Sequence, residues 1–396
     1  MSIHIILGDT HIGKGCILGR DSVGSTNTRI VDQINLLNWT LQQAVDRGAE
    51  RIIITGDIFE DTQPHSSLIK MFIAWLNRCQ DENIYVDVLY GNHDITRNGK
   101  IVSSALEIVA EAGLPMVSLH YENFTRYADG VCFTYMPFRD RRSFNLDTHD
   151  EAIKVLNDRL VYEASVIPDW CRKVLIGHLT LAGALYVGDE IADTSNELFC
   201  PLNMFAGYDY VWMGHIHRAQ VMQKHPHIAH IGSMDLSNFG ETDHEKIIVV
   251  IDTDSPTFFE EVRIPTRPLA KFVIPVPAET ADTTQFAINF INSSDATFKN
   301  ATVRVEIQLL AADLPSVDRK KIEELLLSKG VFYISGLTET KKVAFVRKKI
   351  ETEITNLNDV STAVVMYAKT FVDEKHQPAF LTLAESVIEE SKSNSK

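Results

Sequence analysis

The strongest constraint on this chain is an alternation that fills its first two-thirds: short apolar runs of strand length, separated by segments with helical spacing. The runs IHIIL (3–7), RIIIT (51–55), IYVDVLY (84–90) and the β-branched IIVVI (247–251) read as strands, with further candidates at 131–135, 173–176, 210–213 and 228–231. Between them, 29–47 has helical periodicity ending at Gly48, and the spacing predicts helices over 65–79 and near 102–111. Strands that are apolar on both faces need cover on both sides and crossover connections. The alternation therefore predicts βαβ units and mixed sheets, an α/β fold, rather than a helical bundle.

Past residue 262 the pattern changes. RIPTRP (263–268) supplies two prolines and reads as a linker. Strand signals at 271–275, 302–308 and 331–335, with helices near 282–292 and 316–328, describe a small α+β unit. From about 345 the chain is helical and polar. Amphipathic stretches at 353–372 and 378–390 meet at Pro378, and the closing SKSNSK is expected to be disordered. A length of 396 residues fits this division into 1–265, 266–345 and 346–396.

Each of five runs in the first region ends the same way: a glycine, then side chains that can bind metal. They are IILGDTH (Asp9, His11), IIITGDIFE (Asp57), VLYGNHD (Asn92, His93, Asp94), VLIGHL (His178) and VWMGHIH (His215, His217). Strand ends in open α/β sheets aim side chains from several loops at one crevice, and glycine lets the backbone turn sharply there. One Gly-Asp or Gly-His pair is ordinary turn chemistry, but recurrence at five strand ends in one region is not. His217, two residues after His215, puts both rings on one face of an extended backbone. Asp, Asn and His without thiolate suit a hard-to-borderline divalent ion such as Mn²⁺, Mg²⁺, Fe²⁺ or Zn²⁺. The groups are too many for one ion and suit two ions sharing a carboxylate, the arrangement that activates water against a phosphoryl centre.

The motifs DxH, GDxF, GNHD, GH and GHxH, in this order, resemble the calcineurin-like metallophosphoesterases. HIGSMDLSNFGE (230–241) and the domain order resemble, more narrowly, the SbcD-type nuclease subunits of DNA-repair complexes. The resemblance implies a four-layer α/β/β/α sandwich with a smaller α+β capping domain that binds DNA and a helical C-terminal tail. It implies that Asp9, His11, Asp57 and His217 hold one ion, and that Asn92, His178 and His215 hold a second, with Asp57 bridging. His93 is implied to act at the scissile phosphate as the acid for the leaving 3′ oxygen, with Asp94 accepting a hydrogen bond from its ring. Glu60 stands where relatives often carry His or Asp. The resemblance further implies two Mn²⁺ ions per chain, with Mg²⁺ as the substitute, and DNA as substrate. It implies a homodimer within a heterotetramer, for which helices 65–79 and 102–111 are candidates that a buried core position explains as well, and an SMC-like ATPase partner of the SbcC type docked on C-terminal helices whose pattern equally suits packing on their own domain. A phosphomonoesterase or cyclic-nucleotide phosphodiesterase would use the same ligands, and a non-catalytic scaffold would need only the tail.

Other features bound the reading. MSIHIILGDT has no basic leader, and no segment is long and uncharged enough to span a membrane, so no membrane association is expected. Five scattered cysteines (Cys16, Cys79, Cys132, Cys171, Cys200) without CxxC pairing predict reduced thiols and a cytoplasmic protein, with a nucleoid-associated role implied by the resemblance. A net charge of −15 argues against blanket attraction to nucleic acid, so a polyanion must be held by metal ions or local basic patches. Candidates for such patches are Lys14, Arg20, Arg97, Lys100, Arg139, Arg141 and Arg142, as phosphate contacts or solvated loops. GDTHIGKG (8–15) misses the phosphate-loop pattern at Gly15, and His225, His227 and His230 read as surface or core residues.

Overall fold

The computed structural model describes residues 2–21, 26–98, 101–186, 197–296, 298–341, 364, 368, 372 and 375–393. The apolar runs become the inner strands of two six-stranded sheets. The first sheet runs Phe259–Arg263, Ile247–Asp252, Ile3–Leu7, Arg51–Ile54, Tyr85–Leu89, Val117–His120, with Ile247–Asp252 antiparallel to both neighbours and the rest parallel. The second runs Gln220–Gln223, His227–His230, Tyr210–Met213, Arg172–Gly177, Val131–Met136, Phe124–Ala128, parallel inside and antiparallel at both edges.

Helices cover the outer faces. α1 (Thr28–Arg47), α2 (Ser66–Asp81) and the short α3 (Leu106–Ala110) put Leu37, Leu41, Phe72, Leu76, Leu106 and Val109 against Ile5, Ile52 and Val86 of the first sheet. α4 (His149–Val166) lays Leu156 and Leu160 on Cys132, Leu175 and Val211 of the second. Between the sheets, Ile6, Ile53 and Leu89 meet Phe133, Tyr135, Ile176 and Trp212. The region is a four-layer α/β/β/α sandwich. Local signals set the element ends: Asn27 caps α1 by accepting from Arg29 N at 2.7 Å, and Gly48 stops it at φ 64°.

One expected helix is shorter than its pattern. In 102–111, Ile101–Ser103 pairs as a strand with Thr96–Asn98, and α3 begins only at Leu106. The β-branched residues there favour extended backbone, and the Ser104 hydroxyl accepts from Leu106 N at 3.1 Å, starting the helix late. α4 is additional to the expected elements, as are the edge strands Val117–His120, Phe124–Ala128, Gln220–Gln223 and Phe259–Arg263.

After the sandwich, Leu269–Val276, Thr302–Leu309 and Tyr333–Lys341 form a parallel sheet crossed over by α5 (Thr283–Asn292) and α6 (Arg319–Ser328). Leu269–Val276 alternates buried with exposed positions and Thr302–Leu309 buried with half-buried ones, and Phe272, Ile274, Ile291, Ile322 and Leu326 make a separate core. Arg267 ties this unit to the sandwich: it grips Asp32 with two nitrogens at 2.7 and 2.6 Å and lies 3.6 Å over the Phe332 ring. Thr302 adds a bond to the Leu18 carbonyl at 3.0 Å.

Residues Met1–Lys342 make one compact unit and Val343–Lys396 a second. In the latter, Gln377–Ser393 is helical, with Pro378 in the first turn where its missing N–H costs nothing. This helix runs into the closing stretch expected to be disordered, since neither glycine nor proline interrupts it; residues 394–396 lie outside the described residues. Most of the expected helix over 353–372 and the end of the 266–345 segment also lie outside them. No helix among the described residues is long and apolar enough to cross a membrane, and all five cysteines are free.

Candidate metal centre

The carboxyl ends of five inner strands open on one crevice. The first sheet brings Asp9, His11, Asp57, Asn92 and His93 there, and the second brings His178, His215 and His217. The preceding glycines permit contact more than they permit turning. A Cβ on Gly91 would fall 2.1 Å from Asp57 Oδ1, and one on Gly214 would fall 2.4 Å from Asp9 Oδ1. Of the five glycines only Gly56 has a positive φ, 125°; the left-handed backbone sits also at three of the polar residues themselves: His11 (φ 41°), Asp57 (φ 49°) and His215 (φ 80°). Such φ values are unfavourable for side chains of this kind and persist where the surroundings over-determine them. Here His11 N donates to the Asp57 carbonyl at 2.9 Å, and His215 N donates to Asp9 Oδ2 at 2.8 Å.

Donor atoms about 2.1 Å from a shared ion and at right angles lie about 3 Å apart. His178 Nε2 and His215 Nδ1 stand 3.0 and 2.9 Å from Asn92 Oδ1 and 3.3 Å from each other, and His178 Nε2 is 3.4 Å from Asp57 Oδ2. On the other side His11 Nε2 is 3.0 Å from His217 Nε2 and 3.5 Å from that same Asp57 oxygen. Asp9, His11 and His217 each offer a ligand atom within 4.8 Å of the others, as do Asp57, His178 and His215. Two donor sets thus share Asp57 Oδ2.

The remote nitrogen of each ring explains why these atoms face inward. His178 Nδ1 is 3.0 Å from the Thr55 carbonyl, His215 Nε2 is 2.7 Å from Glu197, His217 Nδ1 is 3.4 Å from Glu241, and His11 Nδ1 is 3.0 Å from Glu60. A carbonyl or carboxylate only accepts, so the remote nitrogens of His178, His215 and His217 carry hydrogen and their inner nitrogens present lone pairs, whereas the His11 contact with Glu60 lacks hydrogen-bond geometry. Lone pairs facing lone pairs repel unless a proton or cation lies among them. The set suits divalent metal.

The electrostatics agree. Burial opposes protonation of His178, yet Asp57 and Asp9 carry it up to about 9; a cation drawn by the same field would displace that proton. Burial works against the Asp57 carboxylate too, but His178 and His11 hold it well below the usual range. Burial takes His11 down to about 4 against the pull of Glu60. Glu60, which burial would raise, is brought to about 2 by His11 and Lys14.

Asp94 does not hold the His93 ring. Its two oxygens accept from Ile58 N at 2.9 Å and Gly91 N at 2.8 Å, so it braces the two neighbouring turns, and burial together with Asp57 raises it to about 7. The Glu60 carbonyl takes the ring instead, at 2.6 Å from His93 Nδ1, while His93 N donates to Asp57 Oδ1 at 2.8 Å. A backbone carbonyl carries no sequence signature, which is why the neighbouring carboxylate is the expected partner.

Glu197, Glu241 and Lys246 are site residues that the strand-end pattern does not reveal. Glu241 lies in the HIGSMDLSNFGE segment, and Lys246 is the charge directly before the apolar IIVVI run, a signal that could have marked it. Glu197 has no such signal; the short pairing of Thr180–Leu181 with Phe199–Cys200 brings it in. His230 lies behind the site, Nδ1 3.0 Å from the Gly214 carbonyl and Nε2 accepting from Leu181 N at 3.3 Å. Among the basic candidates, Lys14 pairs with Glu60 at 2.9 Å, Arg20 bonds the Phe332 carbonyl, Arg97 meets Ser143 and Asp140, and Arg141 bonds the Asp147 carbonyl. Arg139 is buried against Tyr121 and Glu122, and Lys100 lies outside the described residues.

Residues 5–219 match the calcineurin-like phosphoesterase family. The chain is similar to the SbcD component of the SbcCD nuclease of Escherichia coli K12, 24% identical over 272 residues that cover 62% of this chain and 66% of that one. It is similar also to the DNA double-strand break repair protein Mre11 of Thermoplasma acidophilum, 22% identical over 59% of this chain and 56% of the relative. The chain thus spans just under two thirds of the length of the first of these relatives. Among solved structures, a dimetal phosphatase from Danio rerio aligns at a TM-score of 0.38 and 12% identity, over 66% of this chain and 98% of that one.

Proposed function

The chain belongs to the calcineurin-like phosphoesterase family, and from that premise we propose that it is a metal-dependent DNA phosphodiesterase, cutting duplex ends as an exonuclease and single-stranded or hairpin DNA as an endonuclease. The observation that carries this reading is the shared Asp57 oxygen between two donor sets, with the His93 ring beside it. Divalent ions there, Mn²⁺ first and Mg²⁺ second, would supply charge against the phosphate oxygens and a more acidic water. Asp9, His11, Asp57 and His217 would hold one; Asn92, His178 and His215, with Asp57, would hold the other.

The remaining work belongs to the protein. His93 Nδ1–H is committed to the Glu60 carbonyl, so Nε2 is the atom that carries a proton to the leaving 3′ oxygen. The bond from His93 N to Asp57 ties that residue to the carboxylate both donor sets share, which fixes its place beside them. The relatives' names, a nuclease component and a double-strand break repair protein, support DNA over a phosphomonoester or cyclic nucleotide. On the same likeness, the 266–345 unit binds DNA, the chain forms a homodimer, and the C-terminal helices dock on an SMC-like ATPase of the SbcC type, completing a heterotetramer.

The test replaces His93 by Ala and assays a radiolabelled duplex, p-nitrophenyl phosphates and cyclic nucleotides with Mn²⁺. DNA cleavage should fall by about 10²–10⁴-fold with both ions still bound. An undiminished rate removes the acid, and turnover of the small esters alone removes the substrate.

A further inference from the structure

Lys246 is a buried cation that the strand-end ligands do not explain. Its side chain is fully enclosed, at the start of the Ile247–Asp252 strand. All three of its hydrogens are used: Nζ donates to the His217 carbonyl at 2.9 Å, to Ser233 Oγ at 2.8 Å and to Glu241 Oε2 at 2.8 Å. Glu241 is equally buried, and its other oxygen stands 3.4 Å from His217 Nδ1. The same oxygen accepts from Asn238 Nδ2 at 3.0 Å and from the Ser237 hydroxyl. Lys246 therefore grips His217 at both ends, directly at the backbone and through a carboxylate at the ring.

Its third bond reaches the next ligand. Ser233 N donates to the His217 carbonyl at 3.2 Å, Ser233 bridges to Asp9 as an isolated strand contact, and Met234 N donates to the Asp9 carbonyl at 2.8 Å. The backbone of Asp9 and both ends of His217 are thus referred to one ammonium group. Among the described residues, no bond of Lys246 reaches the rings of the other donor set; its link there is the longer one through Asp9, whose Oδ2 accepts from His215 N at 2.8 Å. There the His215 ring is set by Glu197 and the His178 ring by the Thr55 carbonyl.

We propose that Lys246 is the positioning residue for one ion of the pair: through the His217 carbonyl, Ser233 and Glu241 it fixes the donor set Asp9, His11 and His217, and leaves the set Asn92, His178 and His215 independent of it. The proposal rests on the two-ion reading of the site. An ammonium suits the task because it holds Glu241 by one oxygen and leaves the other facing His217 Nδ1, so that hydrogen sits on Nδ1 and the lone pair on Nε2 faces the donor set. Three short bonds in three directions also fix position more tightly than one carboxylate bond could.

The experiment titrates the full chain with Mn²⁺ by calorimetry, counts ions per chain by metal analysis, and checks folding by thermal melting in chelator. The variants are Lys246→Met, which keeps the length without the charge, and Lys246→Met combined with Glu241→Gln, which leaves no lone buried carboxylate should the single variant fail to fold. The expected result is one site of wild-type affinity and one weakened by about 10–100-fold, the range for loss of an outer-shell partner. Two wild-type affinities in a folded variant would show that Lys246 serves folding alone and overturn the proposal. Equal weakening of both sites would overturn the claimed independence. A wild-type chain that takes up fewer than two ions removes the two-ion reading itself, an outcome visible before any variant is made.

Discussion

The two sheets of the sandwich share a layout but contribute different chemistry. The first supplies the oxygens, Asp9, Asp57 and Asn92, together with His11; the second supplies only imidazoles, His178, His215 and His217. Neither face alone offers a complete donor set. The site is therefore a property of the distance between sheets, which the intervening layer of Ile6, Ile53, Phe133, Ile176 and Trp212 maintains. Close packing makes that distance hard to change, since an interior at crystal-like density does not deform continuously. Among the described residues only Asp57, from the first sheet, offers one oxygen to rings of both donor sets.

That division can be broken at three points, in falling order of effect. Asp57→Asn keeps the size and removes the shared charge; both ions should be lost and phosphodiester cleavage should drop by about a thousandfold or more. His178→Ala, from the imidazole side, should cost one ion only, and metal analysis of the two variants decides whether the oxygens and nitrogens play different parts. Trp212→Ala empties the layer between the sheets and should cost about 3–5 kcal/mol in urea unfolding. Although Trp212 contacts none of the donor atoms, the variant should also weaken ion uptake. Leu156→Ala on α4, outside the second sheet, should cost stability without touching uptake; equal loss of uptake in both would mean that the gap between sheets is not what holds the site.

A smaller effect is expected at His4, which faces Phe133 across the gap with ring centroids 4.7 Å apart. Burial lowers it to about 4, with the Glu50 charge opposing, so it is neutral in the folded chain at neutral pH. The unfolded chain takes up that proton near 6.5, so stability is full above 6.5 and falls as the pH drops toward 4, by about 3 kcal/mol at most. His4→Gln should flatten the difference between urea midpoints at about pH 7 and about pH 4.5. A variant with the wild-type slope would place the acid sensitivity elsewhere.

How much of this is legible in the sequence varies with the range of the signal. The inner strands and α1 follow from local pattern: an apolar run buried on both faces, a cap at Asn27, a stop at Gly48. α4 escapes the pattern although Thr148 and Glu151 make a capping pair, with Glu151 N donating to the Thr148 hydroxyl at 3.3 Å. Its exposed face carries Val155, Val161, Tyr162 and Val166, which blur the spacing of Ala152, Leu156, Leu160 and Ala164. In 102–111 the helical spacing is present, but β-branched residues and a serine cap override it locally.

The sequence by itself determined which atoms are available to a metal and roughly where, because apolar runs, glycines and ligand types are all local features. Tertiary structure alone decided which nitrogen of each histidine points inward, and it did so through partners remote in the chain. Asp9 receives its bond from residue 215, and Glu241, with Lys246 behind it, reaches His217 from 24 residues away. A carbonyl of Glu60 displaced Asp94 as the partner of the His93 ring for the same reason. Hydrogen bonds depend on orientation to fractions of an ångström, and that orientation is set by the register of one sheet against the other, which no stretch of sequence encodes on its own.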